Sequence, residues 1–230
     1  MSSSSTVKVD SVAPTQFRAF FERISEVLRE HPDAPAFTMV DVRGQDQRGL
    51  THREFHRAAE ALAHKMEQHW DLKQGDRVFL VYPSGLDFVL AFYACLLAGA
   101  IPMPIPTPKP LSLDKDVEAF EEAAKLCEPA FVLTNNVYMK FRTLERIKKF
   151  HRPWRNSWIR LPWYATDKTR VPHASEGYRA KDRPTDTAFL QLSSGSTAQP
   201  KAIITTFANL LHHWSCVKER LNLSHDTVAV

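Results

Sequence analysis

Cysteine and glycine are both scarce in this chain of 230 residues, and their scarcity excludes two classes of protein. The three cysteines are odd in number and far apart, so they do not form the framework of a small disulfide-rich domain. Seven glycines are far too few for a collagen repeat. We therefore expect Cys95, Cys127 and Cys216 to be reduced thiols in the core of a cytoplasmic protein.

A large excess of charge of one sign is also absent, since 30 Lys and Arg residues stand against 26 Asp and Glu residues. The resulting net charge of +4 does not demand a polyanionic partner. With 43% hydrophobic and 24% charged residues, the chain has the composition of a folded protein and not of a disordered one. Its length allows one large domain or two small ones.

Apolar segments of the kind that enter or cross membranes are missing. The N-terminal sequence MSSSSTVKVD has no apolar region, so we expect residues 1–12 to be a disordered tail and not a signal peptide. Residues 88–106 carry no charge, but three prolines end any helix near Ile101. About 14 helical residues remain where a membrane span needs about 20, which predicts a buried core helix.

Several motifs of catalysis and nucleotide binding are absent as well. The sequence contains no G-x-G-x-x-G fingerprint, no G-x-S-x-G nucleophile elbow and no legible Ser-His-Asp triad. No pair of acidic residues stands isolated as the catalytic pair of a glycosidase would. The sequence therefore gives little support to a hydrolase.

The first part of the chain predicts two helices around a short hairpin. Apolar residues at spacings of three and four predict an amphipathic helix over Thr15–Glu30. A strand is expected over Ala36–Val42, followed by a glycine-containing turn. Thr51 and Glu54 then form a capping box, which predicts a second helix that runs to about Trp70.

The next part predicts a parallel sheet. The run Val78–Tyr82 is apolar without polar alternation, which indicates a central strand that is buried on both faces. A helix over Leu86–Ala98 follows, with Gly99 placed to end it, and Ile101–Ile105 is then extended. Another strand is expected over Ala130–Thr134. Strands that alternate with helices form βαβ units, so the fold class is α/β, with a mostly parallel sheet flanked by helices in three layers.

Two more helices and one more strand complete the prediction. The residues expected to face the core are Val117, Phe120, Ala124 and Cys127 on the first helix, and Tyr138, Phe141, Leu144 and Ile147 on the second. Residues 152–183 are rich in proline, tryptophan and arginine without a clean period, which predicts a long irregular excursion. A strand over Thr187–Leu192 then leads into a polar loop.

This polar loop is the most informative part of the sequence. It runs over Ser193–Pro200 and is followed by Lys201 and a second apolar strand over Ala202–Ile204. Backbone N–H groups and hydroxyls can converge on an oxyanion, a lysine can supply positive charge, and Gly195 lets the backbone approach closely. Turns of this composition also connect strands without binding any ligand. The loop is not a Walker P-loop, because no second glycine precedes the lysine and Ala202 follows it.

Two segments of the chain resemble one protein family. The string LSSGSTAQPKAIITTFANLLHH, residues 192–213, resembles the phosphate-binding signature of the adenylate-forming superfamily, which includes AMP-forming acyl-CoA synthetases, peptide-synthetase adenylation domains and luciferases. The string GDRVFLVYPSGLDFVLAFYACLLAGAIPMPIPTP, residues 75–108, resembles the N-terminal part of fatty acyl-AMP ligases and the ligase-like domains of DIP2 proteins. Both strings stand in the family's order, and looser similarity begins near Phe17.

The resemblance implies a site and a reaction. The loop that grips the β- and γ-phosphates of ATP corresponds to Ser193, Ser194, Gly195, Ser196, Thr197 and Lys201. The family uses ATP and Mg²⁺ to convert a carboxylic acid, here a fatty acid, into an acyl adenylate, and passes the acyl group to CoA or to an acyl carrier protein. No nucleic-acid partner is implied.

The resemblance also implies a domain boundary. It assigns residues 13–230 to the N-terminal part of the large AMP-binding domain, truncated at its C-terminal end. The adenine pocket, the ribose-binding acid, the metal-binding Glu and the catalytic lysine are then expected beyond Val230, so no catalytic residue is assigned within the chain. We expect the chain alone to be inactive.

Three residues depart from the family's pattern. The family usually has glycine where this chain has Ala198 and Ala202, and usually histidine where it has Phe207. A residue with a side chain in a left-handed turn costs about 1 kcal/mol or more, so weak or altered use of ATP is one hypothesis. The departures also favour an alternative, a non-catalytic ligase-like domain that binds acyl or nucleotide ligands or serves protein contacts.

Two histidine clusters have weaker interpretations. His52 and His56 lie four residues apart on a predicted helix, but no Glu follows the first of them, so we expect surface residues and no metal site. His212, His213 and Cys216 lack further ligands nearby, and the cysteine is expected in the core. Trp214 is a possible neighbour of the loop.

The segment Lys140–Arg160 is rich in basic and aromatic residues. That combination is typical of proteins that bind single-stranded nucleic acid. A solvated helix face followed by a loop anchored by tryptophan explains the same pattern, and so would a surface that meets a partner domain or an acidic carrier protein. The sequence favours the solvated face and leaves the others open.

Overall fold

The computed structural model describes residues 15–109, 113–148, 160–167, 178, 180, 185–193, 201–224 and 227. Its helices and strands are, in chain order, α1 (Thr15–Glu30), β1 (Pro35–Val40), β2 (Asp46–Thr51), α2 (His52–His69), β3 (Arg77–Leu80), α3 (Leu86–Leu97), β4 (Ile101–Pro104), α4 (Leu113–Cys127), β5 (Phe131–Thr134), α5 (Asn136–Lys148), β6 (Trp163–Ala165), β7 (Thr187–Ser193), β8 (Lys201–Thr206) and α6 (Phe207–Arg220).

The main sheet has four parallel strands in the order β4-β3-β5-β6. Val78 and Leu80 of β3 face one side, where they pack with Leu62 of α2 and Ala94 of α3. Phe79 faces the other side, where the cluster includes residues of α4 and α5. Because adjacent side chains of a strand point to opposite faces, the continuous apolar run fills two cores at once. The predicted α/β class, with helices on both faces of a parallel sheet, is confirmed.

Helix α2 begins at the predicted capping box. The Thr51 hydroxyl accepts a hydrogen bond from the backbone N–H of Glu54 at 3.2 Å, and the Glu54 carboxylate accepts one from the Thr51 N–H at 2.9 Å. The helix ends at His69, one residue before the predicted end. Strands β1 and β2 pair antiparallel, with Gly44 at φ +75° in the turn between them.

The segment without charges, residues 88–106, contains most of α3, a helix of 12 residues that is buried along most of its length. Gly99 follows it at φ +75°, the left-handed conformation expected of a glycine that ends a helix. The prediction of a core helix is confirmed. In the part of the chain that the structure describes, no helix has the length and hydropathy needed to cross a membrane.

Three sequence predictions were wrong. Leu144 is 57% exposed, because it lies about 240° around α5 from the buried Tyr138, while Arg142 occupies the inward position. Cys216 is exposed and not in the core, since it lies on the opposite side of α6 from the buried Phe207. The expected irregular excursion contains a strand, β6, which pairs with β5. Cys95 and Cys127 are buried and are not in a disulfide, as predicted.

Candidate functional site

The predicted phosphate-binding loop connects β7 and β8, which pair antiparallel as a hairpin. Ser193 and Lys201 are opposite each other in the last pair of the ladder, so they mark the two ends of the intervening segment. Ser193 is half-buried, whereas Lys201 is exposed. The other predicted site residues lie outside the described residues; they are Ser194, Gly195, Ser196 and Thr197, and the departure at Ala198 lies there too.

One face of the hairpin packs against the main sheet. Leu190, Leu192 and Ala202 contact the cluster that includes Met103 and Ile105, at the edge formed by β4. The alternation of side chains along β7 puts Leu190 and Leu192 on the same face. Ala202 therefore fills space in a core, which accounts for an alanine at this position.

A second capping box lies at the other end of the hairpin. The Thr206 hydroxyl accepts a hydrogen bond from the Asn209 N–H at 3.1 Å, and the Asn209 side chain accepts one from the Thr206 N–H at 3.0 Å. This start of α6 was not predicted from the sequence. The spacing T-x-x-N is the signal that could have found it, because a short amide can replace the usual Glu or Gln of the box.

Phe207, the first residue of α6, is completely buried. It packs with Phe17, Ala188 and Leu96 in a core cluster of its own. A histidine here would lose hydration of its ring nitrogens among apolar neighbours. The apolar surroundings account for the phenylalanine without reference to catalysis.

Polar groups gather at the carboxyl ends of the parallel strands, the edge where open α/β sheets bind ligands. Asn136 donates hydrogen bonds from its backbone N–H and its side chain to Asp167, at 2.9 and 2.6 Å. The Tyr82 hydroxyl lies 3.0 Å from the Thr166 hydroxyl, and burial raises the pKa of Tyr82 well above its ordinary value. The two pairs join the residues that follow β6 to those that follow β3 and β5.

His56 is not the surface residue that the sequence suggested. Its Nδ1 lies 2.9 Å from the Tyr93 hydroxyl, and its Nε2 lies 3.3 Å from a carboxylate oxygen of Glu60. Burial lowers the pKa of His56 and raises the pKa of Glu60. The helix turns His56 toward α3, which the four-residue spacing from His52 alone does not reveal.

Neither histidine cluster forms a metal site in the described structure. Among the residues it describes, no group of three or more His, Cys, Asp or Glu side chains is placed to hold a metal ion. Cys216 contacts His212 on the surface of α6, with 3.6 Å between the sulfur and Nε2. Trp214 lies on the exposed side of α6, between Arg23 and Lys218.

The basic segment Lys140–Arg160 is described only in part. Arg142 is buried, and its guanidinium lies 4.5 Å from the centre of the Trp163 ring. It therefore packs inside the protein and is not available to a nucleic-acid phosphate. Lys140 is exposed on the same helix, and residues 149–159 lie outside the described part.

Comparisons with known proteins agree with the resemblance seen in residues 75–108 and 192–213. A family profile described as AMP-binding enzyme matches residues 24–230. The medium-chain-fatty-acid–[acyl-carrier-protein] ligase JamA of Moorena producens is 30% identical over 196 residues, which cover 84% of this chain and 32% of JamA. The Disco-interacting protein 2 of Drosophila melanogaster is 34% identical over 103 residues, 45% of this chain and 6% of that protein.

Solved structures show the same fold. The crystal structure of a fatty acid AMP ligase from Legionella pneumophila matches 96% of this chain and 36% of that protein, with a TM-score of 0.72 and 23% sequence identity. The chain thus spans about a third of the length of JamA and of the Legionella protein. Because the family profile covers nearly all of the chain, we conclude that the chain belongs to the AMP-binding enzyme family, as the two segments predicted.

Proposed function

We propose that the protein containing this chain is an AMP-forming ligase that activates a fatty acid with ATP. The observation that carries the proposal is the β7–β8 hairpin, which holds Ser193 opposite Lys201 at the two ends of a hydroxyl-rich segment, in a chain of the AMP-binding enzyme family. The names of JamA and of the Legionella protein support a fatty acid as substrate. The chain spans about a third of those proteins, so the activity is proposed for the whole protein.

The hairpin segment is proposed to bind the β- and γ-phosphates of ATP. The residues assigned to this role are Ser193, Ser194, Gly195, Ser196, Thr197 and Lys201. Backbone N–H groups and hydroxyls supply several hydrogen-bond donors, and the exposed ammonium group of Lys201 supplies the charge. Gly195 carries no side chain that would keep the backbone away from a phosphate.

In the proposed reaction, a carboxylate oxygen of the fatty acid forms a bond to the α-phosphorus of ATP. The bond from that phosphorus to the bridging oxygen breaks, and pyrophosphate leaves with the electron pair. Negative charge grows on the leaving group, where donors held in advance by the protein are most effective. Mg²⁺ bound with ATP would neutralise part of the phosphate charge, and we assign it no ligand among the described residues.

The acyl adenylate would then react with a thiol: the sulfur forms a bond to the acyl carbon, the bond from that carbon to the phosphate oxygen breaks, and AMP leaves while the thiol loses its proton. The name of JamA supports an acyl carrier protein as the acceptor, and CoA is the other thiol that we propose to test. We also propose a cytoplasmic location, supported by Cys95 and Cys127, which are buried and not disulfide-bonded. Fractionation of cells that express a tagged protein tests the location.

The test of the proposed function is pyrophosphate–ATP exchange by the full-length protein with fatty acids of different chain lengths. Replacing Lys201 with alanine is expected to lower kcat/KM for ATP about 10²-fold, the usual effect of removing one stabilising donor. Lys125→Ala is the matched control, because Lys125 is an exposed lysine on α4. Equal activities of the two variants would contradict the assignment of Lys201. The 230-residue chain, assayed in parallel, tests the expectation that it is inactive alone.

A second candidate is a non-catalytic ligase-like domain, which the match to Disco-interacting protein 2 favours. Packing against the core accounts for Ala202 and Phe207. Of the three residues that differ from the family's pattern, Ala198 is therefore the one that still favours this candidate. Absence of exchange with every fatty acid, together with retained binding of a fatty acid or of an adenylate analogue, would favour this candidate. A gain of exchange activity in Ala198→Gly would identify the alanine as the cause.

A further inference from the structure

Phe207 joins the end of the hairpin to the N-terminal helix. Its ring centre lies 5.3 Å from that of Phe17, nearly edge-on at 85°, and 5.3 Å from that of Phe20. A third ring of α1, Phe21, lies 6.3 Å away. Edge-to-face and tilted contacts at these distances are favourable and directional, so they fix the orientation of the rings as well as their separation.

The backbone of the same residue closes the base of the hairpin. The Phe207 N–H donates a hydrogen bond to the carbonyl of Asp186 at 2.9 Å, and the Ala208 N–H donates one to the Asp186 carboxylate at 3.3 Å. Asp186 directly precedes β7, and Phe207 directly follows β8. β7 therefore begins and β8 ends at one point, the base of the hairpin, and α1 packs on that point.

Helix α1 is itself held by the main body of the protein. Phe21 stacks on Tyr93 of α3 with 6.2 Å between ring centres, and Tyr93 stacks on Phe55 of α2 at 5.3 Å. Helix α1 thus links the helices that cover the parallel sheet to the base of the hairpin. A second link, Phe92 of α3 against Phe189 of β7 at 5.4 Å, supports the hairpin from the side.

We propose that α1 positions the phosphate-binding segment, with Phe17 acting through Phe207 to fix the direction of the β7–β8 hairpin. This inference rests on the proposed function. Phe17 cannot touch the phosphates, because the six residues of β8 put Lys201 about 20 Å from Phe207. It is a positioning residue. A small rotation at the base of the β7–β8 hairpin displaces its far end, where Ser193 and Lys201 lie. A displacement of about 1 Å can lower activity about 10²-fold.

The test measures binding of sodium tripolyphosphate to the full-length protein by calorimetry, in the parent and in three variants. Phe17→Ala removes the contact, and Phe17→Leu retains most of the volume. Phe37→Ala is the matched control, because the Phe37–Phe55 pair has nearly the geometry of the Phe17–Phe21 pair, 4.8 Å and 53° against 4.8 Å and 58°, but lies on the β1–β2 hairpin. Thermal unfolding of each variant shows how much stability it has lost.

Phe17→Ala is expected to raise the Kd for tripolyphosphate about 10-fold, while Phe37→Ala changes it less than about 2-fold and Phe17→Leu restores most of the affinity. Amide exchange in β7 and β8 should rise in Phe17→Ala beyond the rise in β3 and β5. Unchanged affinity in Phe17→Ala, or equal losses in Phe17→Ala and Phe37→Ala, overturns the inference and leaves the proposed function intact. A parent protein that does not bind tripolyphosphate also overturns the inference, while pyrophosphate–ATP exchange tests the proposed function separately.

Discussion

The parallel sheet and the β7–β8 hairpin are built on opposite principles. In β3 and β5 every residue from Val78 to Leu80 and from Phe131 to Thr134 is almost completely buried. In the hairpin, Ile203 and Ile204 are 52% and 60% exposed, and Lys201 reaches solvent. The sheet contributes stability through apolar burial, whereas the hairpin leaves several side chains exposed, among them Lys201. Functional groups are commonly placed in this way, on accessible segments held by a rigid scaffold.

The contrast predicts a large loss of stability from a truncation in the sheet. Phe79→Ala should cost about 3–5 kcal/mol, because it opens a cavity between β3 and α4, where Phe79 packs edge-on against Phe120. Urea unfolding followed by circular dichroism measures the change. A cost below about 1 kcal/mol would show that the sheet core is not the main source of stability. Phe79→Leu gives a smaller change if the alanine variant does not fold.

The pH dependence of the free energy of unfolding should arise in the sheet and its helices, since β7 and β8 contain no histidine. Burial lowers the pKa of His56 below its ordinary value of 6.5, so the unfolded chain binds the proton more readily as the pH falls below that value. Stability present above pH 6.5 is therefore lost with falling pH, at no more than about 1.4 kcal/mol per pH unit.

The variant His56→Gln should flatten that decline, as measured by urea unfolding between about pH 5 and pH 7. The raised pKa of Glu60 acts in the opposite direction, because its contribution is lost as the pH rises through that pKa. Glu60→Gln therefore serves as a control that steepens the decline. Parallel pH profiles of the parent and His56→Gln would refute the role of His56.

The two capping boxes allow a matched comparison of the regions. Thr51→Ala and Thr206→Ala each remove a side-chain hydrogen bond from a helix start, and each should cost about 1 kcal/mol. We expect the first loss in the global unfolding of the main body. The loss in Thr206→Ala should appear mainly as faster amide exchange in α6 and β8, as measured by mass spectrometry. Equal global losses would show that the hairpin unfolds together with the sheet.

The smallest effect is expected at an exposed side chain of the hairpin. Ile204→Thr should change stability by less than about 0.5 kcal/mol, since Ile204 is mostly exposed and threonine keeps the β-branched shape. Urea unfolding of this variant beside Phe79→Ala measures the contrast directly. A loss above about 1 kcal/mol would mean that Ile204 is covered in solution.

Local patterns predicted most of the elements in the first two thirds of the chain. The capping box at Thr51, the apolar run at β3 and Gly99 at the end of α3 each depend on residues a few positions apart, and all were confirmed. Strand β6 was missed because three residues in a segment rich in proline and arginine carry no period. Leu144 was predicted to face the core because it is apolar. The side chain that faces inward is that of Arg142, which packs against the Trp163 ring, and the sequence pattern does not show this contact.

The candidate site could be predicted from the sequence because the residues expected to bind phosphate are close together along the chain. Hydroxyls, one glycine and a lysine between two apolar strands predicted an anion-binding turn, and the resemblance supplied the family. The structure adds that Ser193 and Lys201 face each other across the hairpin. The roles assigned to the six residues remain predictions.

The sequence by itself determined the fold class, the family and the position of the candidate loop, because strand and helix periods and short motifs act between near neighbours. Only the tertiary structure decided what supports the loop. Phe17 and Phe207 come from opposite ends of the chain, and nothing in either local pattern shows that their rings meet. Contacts of this kind depend on how the whole chain packs, since the burial of an aromatic ring is satisfied by any partner that the fold brings within reach.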